Sequence, residues 1–141
     1  MKQLRIAACF AIAIVGTLAA QTPETYKARL SPVPLDLQLA PKIAGLGSVS
    51  ASLAGTKLTV TGTFERMRSA ATAAQLHQSK VIGVPGPAIH ELTIAKAMGG
   101  AISGAVDLTP PEVAALRKGL LYVAVDSAGA PDGNLWGWLL K

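Results

Sequence analysis

The sequence is poor in cysteine and in aromatic residues. Its 141 residues include one cysteine, Cys9, and only 4% are aromatic, namely two phenylalanines, two tryptophans and two tyrosines. A chain with a single cysteine forms no internal disulfide, so its stability has to come from an apolar core. We therefore expect a domain that is held together by aliphatic packing.

Charged residues are also scarce. They make up 15% of the chain, and the formal net charge is +5 at pH 7. The lysines and arginines are scattered along the sequence, without the cluster or stripe that follows a nucleic-acid backbone. We therefore expect no nucleic-acid partner.

The motifs of common enzymes are missing as well. No Gly-x-Ser-x-Gly nucleophile turn occurs, and no two carboxylates have a recognisable acid–base spacing. Gly45-Leu46-Gly47 has glycines at phosphate-loop spacing, but no helix start follows it. We predict that the protein is not an enzyme and requires no cofactor.

The first residues have the pattern of a secretory signal peptide. Lys2 and Arg5 precede an uncharged run over residues 6–20, which is shorter than a typical transmembrane helix. Cleavage after Ala19 places small residues at both recognition positions, and cleavage after Ala20 stays open. We predict that the mature chain has no membrane span and is secreted or periplasmic.

Cys9 lies in a local sequence that looks like a lipoprotein processing site. A lipoprotein signal has its apolar run before the cysteine, whereas the apolar run here follows Cys9. We therefore expect Cys9 to leave with the signal peptide, residues 1–20. The remaining residues 21–141 have the length of a single domain.

In the mature chain, apolar and polar residues alternate with a period of two. This pattern predicts one-faced strands over residues 26–31, 48–53 and 58–64, and weaker patterns predict five more, over residues 72–77, 89–95, 101–108, 120–126 and 134–140. Ala54-Gly55-Thr56-Lys57 and Pro131-Asp132-Gly133 predict hairpin turns between the strands that flank them. Thr109, two prolines and Glu112 predict one short helix, residues 111–117. The sequence therefore predicts an all-β, antiparallel Greek-key sandwich or barrel, immunoglobulin-like or superoxide-dismutase-like.

Several segments resemble those of the CHRD (chordin-type) domain. They are the opening strand at residues 26–30, Gln75-Leu76-His77, the turn region at residues 83–87, and Pro131-Asp132-Gly133 before the last strand. The resemblance covers about residues 26–140 and is to the stand-alone exported bacterial form. It implies a β-rich fold outside the cytoplasm and a role as a binding or assembly module.

The resemblance does not bring a histidine metal site with it. The family pattern has a His-apolar-His pair where this chain has Gln75-Leu76-His77, and an apolar-His-Thr where it has Val125-Asp126-Ser127. Strand alternation places Gln75 and His77 on one face, with Leu76 on the other. A copper or zinc site would need His77 together with Asp126 or His90. A metal-binding accessory protein is the alternative function, and otherwise His77 is a hydrogen-bonded surface histidine.

The same alternation makes the two tryptophans conspicuous. If Leu135, Gly137 and Leu139 face inward, Trp136 and Trp138 face outward. With Tyr122 and Gln75 nearby, they would form an apolar patch of the kind that binds another protein or a second copy of the chain. Three alternatives stay open: a reversed strand orientation, a loop folded over the rings, or a surface that stacks a sugar or other ligand.

Overall fold

Eight antiparallel strands and one helix form the part of the chain that the computed structural model describes, residues 22–141. The predicted signal peptide and Cys9 lie outside the described residues. The elements, in chain order, are β1 (Glu24–Pro32), β2 (Leu46–Ala54), β3 (Lys57–Glu65), β4 (Ala71–Gln78), β5 (Ala88–Ile94), β6 (Gly100–Asp107), α1 (Pro110–Arg117), β7 (Leu121–Ser127) and β8 (Ala130–Trp138).

The strands close into a barrel in the order β1-β2-β3-β6-β5-β4-β7-β8. Strand β3 pairs with β6 instead of β4, and β4 pairs with β7. The β3–β4 and β6–β7 connections therefore cross from one side of the barrel to the other, as in a Greek key. The pairings β1–β8 and β5–β6 are short, and the barrel therefore consists of two sheets joined along two seams. The prediction of an antiparallel Greek-key fold with one short helix is confirmed for these residues.

The core lies between the two sheets and is almost entirely aliphatic. Leu30, Val60, Leu76, Val123 and Leu135 are completely buried. Burying an aliphatic side chain of this size stabilises the fold by about 1.5–3 kcal/mol. The inward residues predicted by alternation for β1, β2 and β3 are buried except Gly62, which is half-buried, so the period-two pattern correctly identified the core face of each strand.

Helix α1 begins one residue earlier than predicted and closes over the core. The Thr109 side chain accepts a hydrogen bond from the Glu112 backbone, and the Glu112 carboxylate accepts one from the Thr109 backbone. This reciprocal cap satisfies two amide groups that a helix start leaves without partners. Val113 and Leu116 on the inner side of the helix are buried in the core cluster.

The prediction for the β7–β8 turn is wrong. Ser127 pairs with Ala130, so the turn consists of residues 128–129, and Pro131-Asp132-Gly133 lies within β8. The register then shifts between Ser127 and Val125, which pairs with Leu135. On β8, residues 131–134 between these two pairs leave the ladder as a bulge. Gly133 in this bulge has a φ of 138°, in a region that favours glycine.

Candidate functional site

Four rings form a cluster on the outside of β4, β7 and β8. The ladders place Tyr122 opposite both His77 and Trp138, and place Trp136 opposite Ala124. The Tyr122 ring stacks on His77 with centroids 4.9 Å apart, and its centroid lies 4.5 Å from that of Trp138 and 5.8 Å from that of Trp136. The two indoles are 5.9 Å apart. We call these four residues the aromatic cluster.

The outward orientation predicted for Trp136 and Trp138 is confirmed. Leu135, Gly137 and Leu139 on the opposite face are buried, whereas both indoles are half-buried. The indoles are less exposed than a bare outer face would leave them, because rings on three neighbouring strands shield one another. Reversal of the strand orientation is therefore excluded.

Tyr122 also faces outward, yet only 3% of it is exposed. The connection between β4 and β5, residues 79–87, lies against it. The Tyr122 hydroxyl accepts a hydrogen bond of 2.9 Å from the Gly86 amide and donates one of 3.0 Å to the Gly86 carbonyl. A Cβ atom at Gly86 would lie 1.9 Å from the Gln78 carbonyl oxygen, so only glycine allows this approach. A loop therefore covers Tyr122, whereas the loop over the tryptophan rings that the sequence left open leaves Trp136 and Trp138 half-buried.

A chain of polar side chains runs from His77 across the aromatic cluster. His77 Nδ1 lies 2.8 Å from the Gly86 carbonyl oxygen, and Nδ1 carries the proton because a carbonyl can only accept. His77 Nε2 lies 3.2 Å from Gln75 Oε1, a contact that is a hydrogen bond only with a proton on Nε2 because the amide oxygen can only accept, and Gln75 Nε2 donates a 2.9 Å hydrogen bond to Glu91. Gln75 therefore links the imidazole to a carboxylate, and a metal at His77 Nε2 would have to displace the Gln75 side chain.

The structure does not bring the predicted metal ligands together. Asp126 pairs with Ala73, four residues along β4 from His77. His90 pairs with the buried Leu76, on the opposite side of the sheet from His77, and its Nε2 lies 3.0 Å from Glu112 Oε2. Among residues 22–141, no group of three or more histidine, cysteine, aspartate or glutamate side chains could hold a metal ion.

Glu112 pairs with His90 and caps α1 at the same time. Burial alone would raise the pKa of the Glu112 carboxyl. Hydrogen bonds from the Thr109 backbone and hydroxyl and from His90 outweigh that effect, so the pKa is lowered. The carboxylate is therefore charged and engaged at neutral pH, which ties His90 to the helix.

A groove of about 390 Å³ lies beside the aromatic cluster. Its floor is Tyr122, Ala124 and Trp136, and its apolar walls come from the β1–β2 and β4–β5 connections. The lining residues are Val33, Pro34, His77, Pro85, Gly86, Tyr122, Ala124, Asp126, Asp132, Gly133 and Trp136. We call this feature the aromatic groove.

Two carboxylates line the aromatic groove. Asp132 is exposed on the bulge, and Asp126 is half-buried on β7. Burial raises the pKa of Asp126 above its ordinary 3.8, the charge of His77 opposes this, and the negative charges of Asp132 and Glu91 add to it. A charged Asp126 is thus held in an unfavourable environment.

Sequence reasoning missed one wall of the groove and the role of Asp132. The buried Asn134 accepts a 2.8 Å hydrogen bond from Ser127 and donates one of 3.0 Å to Ala44. Its backbone oxygen accepts from the Val33 amide at 3.0 Å, which fixes the wall. Pro131-Asp132-Gly133 is the signal that the sequence offers, and its residues favour a hairpin turn, whereas the structure has a bulge there that carries Asp132 to the groove.

No helix within residues 22–141 is long and apolar enough to cross a membrane.

A family model, the CHRD domain, matches residues 31–139. No curated protein and no solved structure matches the chain. The match includes every strand from β2 to β8 and all lining residues of the aromatic groove. The chain therefore belongs to the CHRD domain family.

Proposed function

We propose that this protein is an exported, non-catalytic binding or assembly module that contacts another protein, or a second copy of itself, through its aromatic cluster and groove. The location is secreted or periplasmic, and no cofactor takes part. The single observation that carries the proposal is the combination of two half-buried indoles with an adjoining groove on one face of the barrel.

The rigidity of this face supports binding. Tyr122 is fixed by two hydrogen bonds to Gly86, and its ring contacts those of His77, Trp136 and Trp138. Aromatic side chains that are already ordered lose little conformational entropy when a partner covers them. Tryptophan and tyrosine are also the residues that most often dominate the energy of protein interfaces.

The loop that covers Tyr122 extends the apolar surface. Val81, Ile82 and Val84 in the β4–β5 connection are 59%, 50% and 51% exposed. Three exposed aliphatic side chains in the loop that covers Tyr122 add apolar surface of the kind that marks interaction sites. This surface supports a protein partner in preference to a small sugar.

The test separates self-association from binding to another chain. The barrel lies wholly within residues 22–141, so a chain without residues 1–20 retains it. Sedimentation velocity over a range of concentrations measures self-association, and selection from a display library of random peptides measures binding. Both are repeated with Trp136→Ser/Trp138→Ser and with the matched control Ser50→Ala/Thr61→Ala on the opposite sheet.

We expect dimer formation, peptide enrichment, or both, lost in the tryptophan variant and retained in the control. If neither occurs, or if both variants behave like the parent chain, the proposal is wrong. Circular dichroism and thermal unfolding of each variant verify that a loss of binding is not a loss of folding.

A further inference from the structure

We infer that the aromatic groove binds a cationic side chain, an arginine of an extended partner segment. This inference rests on the proposed function and names the chemistry of the partner. It follows from the charge of the groove, the hydrogen-bonding state of its walls and the aromatic ring on its floor.

The charge of the groove is opposite to that of the protein. The chain carries a formal net charge of +5, and of +3 without Lys2 and Arg5 of the predicted signal peptide, yet the groove is lined by two aspartates and by no lysine or arginine. The aspartates are Asp126 and Asp132. The three ion pairs within the described residues involve other carboxylates, those of Glu24 and Glu112. The groove is therefore a negative site on a positive protein, which favours a cationic occupant and disfavours an anionic one.

The walls of the groove offer few donors to an anion. Pro34 and Pro85 have no backbone N–H group. The Gly86 amide donates to Tyr122, and His77 Nδ1 donates to the Gly86 carbonyl. The donors that an anion would need are thus absent or engaged at these positions, whereas the carboxylate oxygens of Asp126 and Asp132 are acceptors.

The floor suits a planar cation. A guanidinium group stacks on an aromatic face within about 6 Å of the ring centroid, and tryptophan is the best such ring. Trp136 lines the groove and is half-buried, so part of the indole faces the groove and solvent. Arginine also forms paired hydrogen bonds with a carboxylate, and its methylene stem packs on apolar walls such as Val33 and Pro34.

The environment of Asp126 is consistent with this occupant. Burial disfavours the charged carboxylate, the charge of His77 favours it, and the nearby negative charges of Asp132 and Glu91 disfavour it, so that the net effect raises the pKa of Asp126. A cation placed beside the carboxylate offsets the effects of burial and of the negative charges. Binding and the ionisation of Asp126 are therefore linked, and low pH should weaken binding.

The test uses intrinsic fluorescence, because Trp136 and Trp138 are the only two tryptophans in the chain. The chain without residues 1–20 is titrated at low salt with a capped Gly-Arg-Gly-Arg-Gly peptide. Two matched peptides carry citrulline, the neutral isostere of arginine, or glutamate. The variant is Asp126→Asn/Asp132→Asn, and the control is Asp107→Asn, which removes an exposed carboxylate at the end of β6.

We expect a saturable fluorescence change with the arginine peptide, at least about tenfold weaker binding of the citrulline peptide, and no response to the glutamate peptide. Asp126→Asn/Asp132→Asn should weaken arginine binding about tenfold or more, and Asp107→Asn should leave it unchanged. Equal binding of arginine and citrulline, no response to arginine up to about 5 mM, or binding that survives the double variant would overturn the inference.

These outcomes are distinct from failure of the proposed function. If selected peptides depend on Trp136 and Trp138 but contain no excess of basic residues, the binding module stands and the cationic site is wrong. If no tryptophan-dependent peptide or dimer is found, the proposed function as a binding module is wrong. A response to the arginine peptide in that case would show only that the groove binds a small cationic ligand.

Discussion

The two sheets of this barrel share one core but present very different outer faces. On β2, β3 and β6 the outward residues are mainly small hydroxyl side chains, among them Ser48, Ser50, Thr59, Thr61, Thr63 and Ser103. On β4, β7 and β8 the outward residues include Gln75, His77, Tyr122, Asp126, Trp136 and Trp138. We call the first the hydroxyl face and the second the aromatic face.

The comparison shows that the inward residues determine the fold, whereas the outward residues determine the chemistry of each face. Inward residues are aliphatic on both sheets, for example Val60 on β3 and Val123 on β7. Because side chains alternate along a strand, the outward residues can change without altering this core. The hydroxyl face stays solvated, whereas the aromatic face is partly covered by its own loop and adjoins a groove.

The largest expected effect is at Gly86, where the loop contacts the aromatic face. Gly86→Ala places a methyl group against the Gln78 backbone and should lower the free energy of unfolding by about 3 kcal/mol or more. Urea denaturation followed by circular dichroism measures it. The control is Gly83→Ala in the same loop, where a Cβ meets no atom within 4 Å and only the positive φ of 86° is strained, at about 1 kcal/mol. Equal effects would contradict the proposed loop contact.

A smaller loss is expected from Tyr122→Phe. The substitution keeps the ring but leaves the Gly86 amide without its partner, at a cost of about 2 kcal/mol, whereas the Gly86 carbonyl keeps the hydrogen bond from His77 Nδ1. Hydrogen exchange of the Gly86 amide gives a local measurement in addition to denaturation. The amide should be protected in the parent chain and exchange faster in the variant. Unchanged protection would show that the loop is held by other contacts.

Asp126→Asn should have an effect of opposite sign. Burial raises the pKa of Asp126 above 3.8, so the folded state binds the proton more tightly than the unfolded state does. At neutral pH the charged carboxylate therefore destabilises the fold, and the variant should be more stable than the parent. The advantage should shrink as the pH falls through the folded pKa and vanish below 3.8. Thermal unfolding at several pH values measures it, and a destabilised variant at pH 7 would contradict the account.

The smallest effect is expected on the hydroxyl face. Thr61 is exposed in the middle of β3, and Thr61→Ala should change the free energy of unfolding by less than about 0.5 kcal/mol. Tryptophan emission should not change. A loss comparable to that of Tyr122→Phe would remove the contrast between the two faces.

The fold could be predicted from the sequence where local pattern and global pairing agree. Alternation in residues 26–31, 48–53 and 58–64 identified strands whose inward residues are buried, and the Gly55-Thr56 hairpin connection lies where the sequence places it. Thr109 and Glu112 similarly identified the helix start, because capping is a local interaction.

The errors arose where distant contacts decide the structure. Pro131-Asp132-Gly133 has strong turn chemistry, but the buried Asn134 bonds with Ser127 and Ala44 and fixes a bulge there instead. The cover over Tyr122 depends on Gly86, which lies on another connection. The sequence offers His90 as a second ligand beside His77, but its pairing with Leu76 places it on the other side of the sheet.

The most direct test of a binding role for the aromatic face is chemical-shift mapping by NMR on the ¹⁵N-labelled chain without residues 1–20, titrated with the arginine peptide. The account predicts that the perturbed signals belong to the indole N–H groups of Trp136 and Trp138 and to amides near Gly86, Asp126 and Asp132. The hydroxyl face should be unaffected. Perturbations centred on β2 and β3, or none at peptide concentrations in the millimolar range, would contradict it.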